Sequence, residues 1–189
     1  MFIQTEETPN PLSLKFITNC EITSQGYNVS YQRSGVLDDA PNFIKDIFTI
    51  EKVSSVMVNS GFVTVLVEDT QDWKLVKPEI IHILLDHGQN GGLKIGENAD
   101  AKEETPKKEF KGIEKEIADL IEERVRPAVE MDGGDIEFIR FDEQEGIVYV
   151  KMKGSCSGCP SSSATLKSGI QRMLEYYVPE VVDVVPVED

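Results

Sequence analysis

Residues 150–170 read VKMKGSCSGCPSSSATLKSGI. The stretch leaves a strand-like run on its left, passes through two thiols separated by Ser157 and Gly158, and enters a helix-like run on its right. Upstream, Ile147 to Met152 alternates as a strand does. Downstream, Leu166, Ile170, Met173 and Leu174 recur at helical spacing, which predicts a helix over 164–177. VVDVVPV at 181–187 reads as a final strand.

Working back toward the N-terminus, Ile136 to Phe141 forms the other arm of a hairpin around Asp142 to Gly146. Before it, Ile113, Ile117, Leu120, Ile121 and Val125 fall on one helical face, and Pro127 is expected to bend that helix near its end. MDGGD, residues 131–135, is expected to stop it, Gly133 and Gly134 taking positive φ angles. The order is α-β-β-α-β, a small sheet covered by two helices.

Cys156 and Cys159 therefore lie between a strand and a helix start, with Pro160 just after them and Ser161 to Ser163 offering capping hydroxyls. From Gly154 to Leu166 no residue is charged. Helix-start amides favour thiolate over thiol, and small side chains let N–H groups approach sulfur. Two unreactive buried thiols, a dithiol-disulfide oxidoreductase, a zinc-stapled adaptor and an iron-sulfur site are the readings such a pair permits. Metal binding leads, because the loop lacks the shaped or aromatic surface of a dithiol enzyme. A closed zinc or iron-sulfur site wants about four soft ligands. This half of the chain has two cysteines and no histidine, and the natural completion is a second copy of the chain, two loops giving four thiolates.

The remaining candidates are weaker. Cys20 could give a third sulfur but reads as a small core residue. His82 and His87, five residues apart, are too far round a helix to grip one ion; His82 reads as packed or half-exposed, His87 as a helix C-terminal residue. Asp132 and Asp135 make a poor hard-metal pair, and a helix stop followed by a turn accounts for them. Lys151 and Lys153 read as solvated lysines of an edge strand.

In the first half, Leu12 to Ile17 alternates as a half-buried strand after a turn set by Pro9 and Pro11. Phe43, Ile44, Ile47 and Phe48 mark a helix over 40–50. VSSVMVNSGFVTVLVED gives two strands around Asn59 to Gly61. Glu79 to Asp86 predicts a second helix with Pro78 in its first turn and Gly88 at its stop. Phe2, Phe43, Phe48, Phe62 and Trp73 are expected mostly in the core. The segment has no paired Ser and His and no glycine-rich phosphate loop, so it reads as a recognition module. The fold class is α+β: two small α+β domains, 1–88 and 110–189, joined by a flexible linker at 89–109 rich in glycine and charge.

The 189 residues carry a formal net charge of -15, which argues against a nucleic acid or an anionic membrane as partner through a general basic field. No apolar run is long enough to span a bilayer. The opening MFIQTEETPNPL lacks the order of a secretory signal or transit peptide, and a cytoplasmic product is expected. Three cysteines do not make a disulfide framework.

MDGGDIEFI followed by VKMKGSCSGCPSSSATLKSGI resembles the NifU-like C-terminal domain of Nfu-type iron-sulfur scaffold proteins. FIQTEETPNPLSLKFI and the segment after it, to about Gly88, resemble the N-terminal domain that accompanies it in mitochondria and many bacteria. The resemblance implies a non-enzymatic carrier that binds a labile [4Fe-4S] cluster through Cys156 and Cys159 between two subunits. It further implies a homodimer held by the cluster, an upstream assembly scaffold as donor and apo iron-sulfur proteins as recipients. A bacterial form would be cytoplasmic, and a processed eukaryotic form would lie in the mitochondrial matrix.

Overall fold

The computed structural model describes residues 1–24, 27–35, 37–95, 110–157 and 160–187, without the side chains of 160–165. The chain forms two compact units.

The first unit is an antiparallel five-stranded sheet in the order β1-β2-β5-β4-β3: β1 Ile3–Glu7, β2 Ser13–Thr18, β3 Val29–Gln32, β4 Val53–Val58 and β5 Phe62–Val67. Two helices, α1 Asn42–Thr49 and α2 Trp73–Gln89, complete it. Alternation decides which sheet face is apolar. Phe16, Val56, Val58, Val63 and Val65, all fully buried, share a core with Phe43, Ile44 and Ile47 of α1 and with Val76, Ile80 and Leu84 of α2. Each such side chain contributes about 1.5–3 kcal/mol by leaving water.

The sequence placed α2 too late. It begins at Trp73, after a 3-10 turn at Thr70–Asp72 whose entry is capped by the Asp69 carboxylate accepting from Gln71 N at 2.9 Å. Pro78 lies inside the helix rather than at its first turn. Its exposed position keeps the ring out of the core while packing of Val76, Ile80 and Leu84 holds the helix on both sides. Nor does the unit end at Gly88, which is helical. Leu93 and Ile95 return to the core, and Ile95 N donates to Ile22 O at 2.9 Å. Of the expected linker, residues 96–109 lie outside the described residues.

Of the five aromatics expected in the core, Phe43 and Phe48 are there; Phe62 and Trp73 are half-buried, and Phe2 is exposed. Trp73 packs on Phe16, ring centroids 6.4 Å apart, and donates from Nε1 to Pro11 O. Cys20 follows β2 half-exposed and outside the core, a correction to its reading as a core residue.

The second unit follows the expected order. Helix α3 Ile113–Leu120 runs through a π-helical turn, Ile121–Val125, into α4 Arg126–Met131. Then come β6 Gly134–Asp142, β7 Ile147–Gly154, α5 Pro160–Tyr177 and β8 Asp183–Val187. The sheet order is β6-β7-β8, with β6 antiparallel and β8 parallel to β7. Pro186 is tolerated because β8 is an edge.

Two irregularities keep apolar residues on one side. Ile117, Ile121, Val125 and Val129 are all buried at four-residue steps. In an α-helix such steps drift by about 40° each. The wider π turn takes up the drift, and it sits where Pro127 has no N–H to offer the Glu123 carbonyl. In β6 the register against β7 shifts between Phe138 and Arg140. That bulge at Ile139 lets Phe138 and Phe141, three residues apart, both enter the core.

Candidate metal centre

The central strand β7 ends at Gly154, and the chain turns: Ser157 N donates to Gly154 O at 3.0 Å, which puts Ser155 and Cys156 at the corners of a β-turn. This turn is stitched to the exit of α4. Ser155 N donates to Gly133 O at 3.2 Å, and Ser155 Oγ donates to Asp132 O at 2.6 Å. MDGGD, which reads in the sequence as a helix stop, is therefore also the floor beneath the cysteine turn.

Its two glycines differ. Gly133 has φ 77°, as a left-handed helix exit requires, and its N–H reaches Glu130 O. Gly134 does not take a positive φ, contrary to expectation; it opens β6, opposite Gly154. What it supplies is space. A methyl group on Gly134 would overlap Cys156 Sγ and lie 3.2 Å from both Lys153 O and Val129 Cγ1. The sulfur sits on the bare Cα, and Cys156, 7% exposed, belongs to the unit's apolar core. Ser155 Oγ is 3.8 Å from the sulfur. Cys159 lies outside the described residues.

Asp135 is not a hard-metal ligand in waiting. Its carboxylate is buried, accepts from Ile136 N and Arg126 Nε, both at 2.8 Å, and from Arg126 Nη2 at 3.4 Å. Arg126 also grips both oxygens of Glu122, at 2.7 and 2.6 Å. Burial works against the Arg126 charge, but hydrogen bonds and Coulombic attraction from Asp135, then Glu122, hold its pKa above the ordinary arginine value. Sequence reasoning missed this arginine. The signal available was an acid directly after Gly-Gly at the start of an apolar strand, where a buried carboxylate needs a cation.

The lysines are also placed differently. β7 is central, not an edge, and Lys153 Nζ lies 3.3 Å from Glu137 Oε2 across the β6-β7 pair. His82 is exposed on α2, whereas His87, in the last turn of the same helix, pairs with Asp46 at 2.7 Å and stands against Phe43. Among the described residues no group of three or more His, Cys, Asp or Glu could hold a metal ion, and no helix is long and apolar enough to cross a membrane.

Chemically, a thiol in an uncharged turn between a strand and a helix start suits soft-metal ligation, and the donor set fits an iron-sulfur cargo if more thiolates join it.

Comparisons with known proteins cover both units. The model of the NifU-like domain matches residues 117–185, and that of the scaffold protein Nfu/NifU N terminal matches residues 3–91. The chain is 41% identical over 192 residues to the NFU1 iron-sulfur cluster scaffold homolog, mitochondrial, of Drosophila persimilis, covering 100% of this chain and 66% of that one. With its counterpart in Drosophila willistoni it shares 41% over 192 residues, 100% of this chain and 64% of the other. It thus spans just under two thirds of the length of the curated relatives it matches. Of solved structures, a NifU-like protein from Saccharomyces cerevisiae is 26% identical over 49% of this chain and 82% of its own, TM-score 0.45. Staphylococcus aureus protein SAV1430 is 28% identical over 44% and 99%, TM-score 0.40. The chain belongs to the Nfu family of iron-sulfur cluster scaffold proteins.

Proposed function

We infer that this chain is a non-enzymatic carrier that takes up a labile [4Fe-4S] cluster on Cys156 and Cys159, shares it with the same pair of a second copy, and passes it to apo-proteins. The observation that carries the reading is the turn at Cys156: a thiol in an uncharged loop between a central strand and a helix start, in a chain of this family. A cubane cluster takes about four thiolate ligands. Two from each of two chains meet that demand, and a cluster held at such an edge can be handed on. The cluster is cargo, supplied by an upstream scaffold and accepted by apo iron-sulfur proteins. The first unit, with no catalytic constellation in its sequence, serves recognition of donor or recipient.

Thiolate cargo requires a reducing compartment. The mitochondrial names of the relatives favour the matrix for a eukaryotic form over the cytoplasm expected from the opening residues.

Anaerobic reconstitution, followed by iron and sulfide determination and native mass, tests the reading. About four irons per dimer are expected. Cys156→Ser or Cys159→Ser should abolish both cluster and cluster-linked dimer. A cluster held within a single chain, or its retention in either variant, sinks the proposal. Recovery of activity by an apo-enzyme receiving the cluster tests delivery.

A further inference from the structure

Cys156 is assigned to hold cargo, yet in this structure its sulfur is turned inward, seated on Gly134 within the apolar core and fenced by the Ser155 stitches to Asp132 and Gly133. A ligand on a shared cluster must leave that seat. We propose that Gly134 is a positioning residue: it provides a resting seat for the Cys156 sulfur that competes with the cluster for it, and so sets how readily cargo is released. The proposal rests on the carrier reading above.

The physical argument is steric and local. Gly134 lies in strand geometry that any residue adopts, so its lack of a side chain serves space and not backbone conformation. Among the described residues, the only atom that a methyl there would overlap outright is the cysteine sulfur. A free thiol behaves as a small hydrophobe and gains by burial. The seat therefore stabilises the unloaded chain and leaves the loaded one unaided, which shifts the balance toward release.

In the exchange, the Fe–S bond to Cys156 breaks as a recipient thiolate forms its own bond to the same iron. The proton lost by the recipient thiol is matched by one taken up, through solvent, at Cys156. Neither iron nor sulfide changes oxidation state.

Gly134→Ala fills the seat. With Cys156 as the sole thiol, in a Cys20→Ser and Cys159→Ser background, the metal-free chain should react with iodoacetamide about tenfold slower than the same chain in urea, the protection expected of a locally closed site. Adding Gly134→Ala should bring the rate close to the urea value. Val148→Ala, which loosens the same core away from the seat, should not. Equal rates with and without urea, or equal acceleration by Val148→Ala at matched loss of Tm, overturn the proposal. With all cysteines restored and the cluster reconstituted, Gly134→Ala should slow loss of iron to a chelator severalfold. Unchanged loss would mean that the seat exists but does not compete, and the proposal falls. If the wild-type chain takes up no cluster, the carrier reading fails instead, and the alkylation rates still report whether the seat exists.

Discussion

Asp135 Oδ1 lies 2.8 Å from Arg126 Nε, and the Asp135 side chain is 2% exposed against 21% for its partner. A buried ion pair is a poor source of net stability, because desolvation offsets attraction. Its consequence is asymmetric: Arg126→Ala leaves a sealed carboxylate without its cation, at a cost of about 3–5 kcal/mol. Replacing both partners with Arg126→Met and Asp135→Leu should cost less than the two single changes summed. A double-mutant cycle by urea denaturation measures the coupling, and additivity would remove the pair from this role.

The same pair should be insensitive to alkali. Arg126 has a raised pKa, so its contribution is complete below the ordinary arginine value and is lost only as pH rises through a still higher one. Guanidinium groups titrate above about pH 12 even unperturbed. The coupling measured at pH 7 should therefore persist unchanged at pH 10, and a fall between them would contradict the assignment.

Helix α2 contains a test of its own irregularity. Pro78 is exposed, in the interior of a 17-residue helix, with no N–H for the Lys74 carbonyl. An interior proline costs about 3 kcal/mol, and removing it returns some unfolded-state entropy worth up to about 1 kcal/mol. Pro78→Ala should raise stability by about 1–2 kcal/mol, read as a higher denaturation midpoint with an unchanged slope. A lower midpoint would show that the helix is shaped around the ring.

Two leucines on that helix should part company. Leu84 is fully buried and Leu75 is 76% exposed. Leu84→Ala should cost about 2–5 kcal/mol, and Leu75→Ala should stay within about 0.5 kcal/mol. Comparable losses in denaturant melts would mean that Leu75 is covered in solution.

Cys20 is half-exposed in the first unit, where its carbonyl accepts from Thr18 Oγ1 at 3.0 Å. Cys20→Ser should leave the iron and sulfide content of a reconstituted sample unchanged. A loss of roughly half or more would bring this third sulfur into the site.

Strong periodicity was legible throughout: the valine-rich hairpin at 53–67, α1, the order of the second unit and the strand-thiol-helix passage all stand where the apolar residues put them. Edges were not. IQTEE in β1 and VSYQ in β3 are short, polar strands that pair on one side only, so alternation leaves little trace. Pro78 misled because proline is common at a first turn, and in α2 core contacts on both flanks outweigh its local cost. At the site, the spacing of Cys156 and Cys159 is what motivates the proposed cluster ligands. Gly134 could not be singled out, since what it accommodates comes from a residue 22 positions later in the chain. The Ile139 bulge is equally hidden, because Phe138 and Phe141 look like opposite faces of a regular strand.

Parallel pairing of β8 with β7 has a consequence for the order of events at birth. Cys156 lies on the crossover between those two strands, and a crossover is fastened only when its second strand docks. On the ribosome both thiols emerge before Asp183 to Val187, so the crossover that carries Cys156 closes only after translation has passed that strand. The interval is set by about two dozen codons, a second or so to a few seconds at ordinary elongation rates of ~5–20 residues per second.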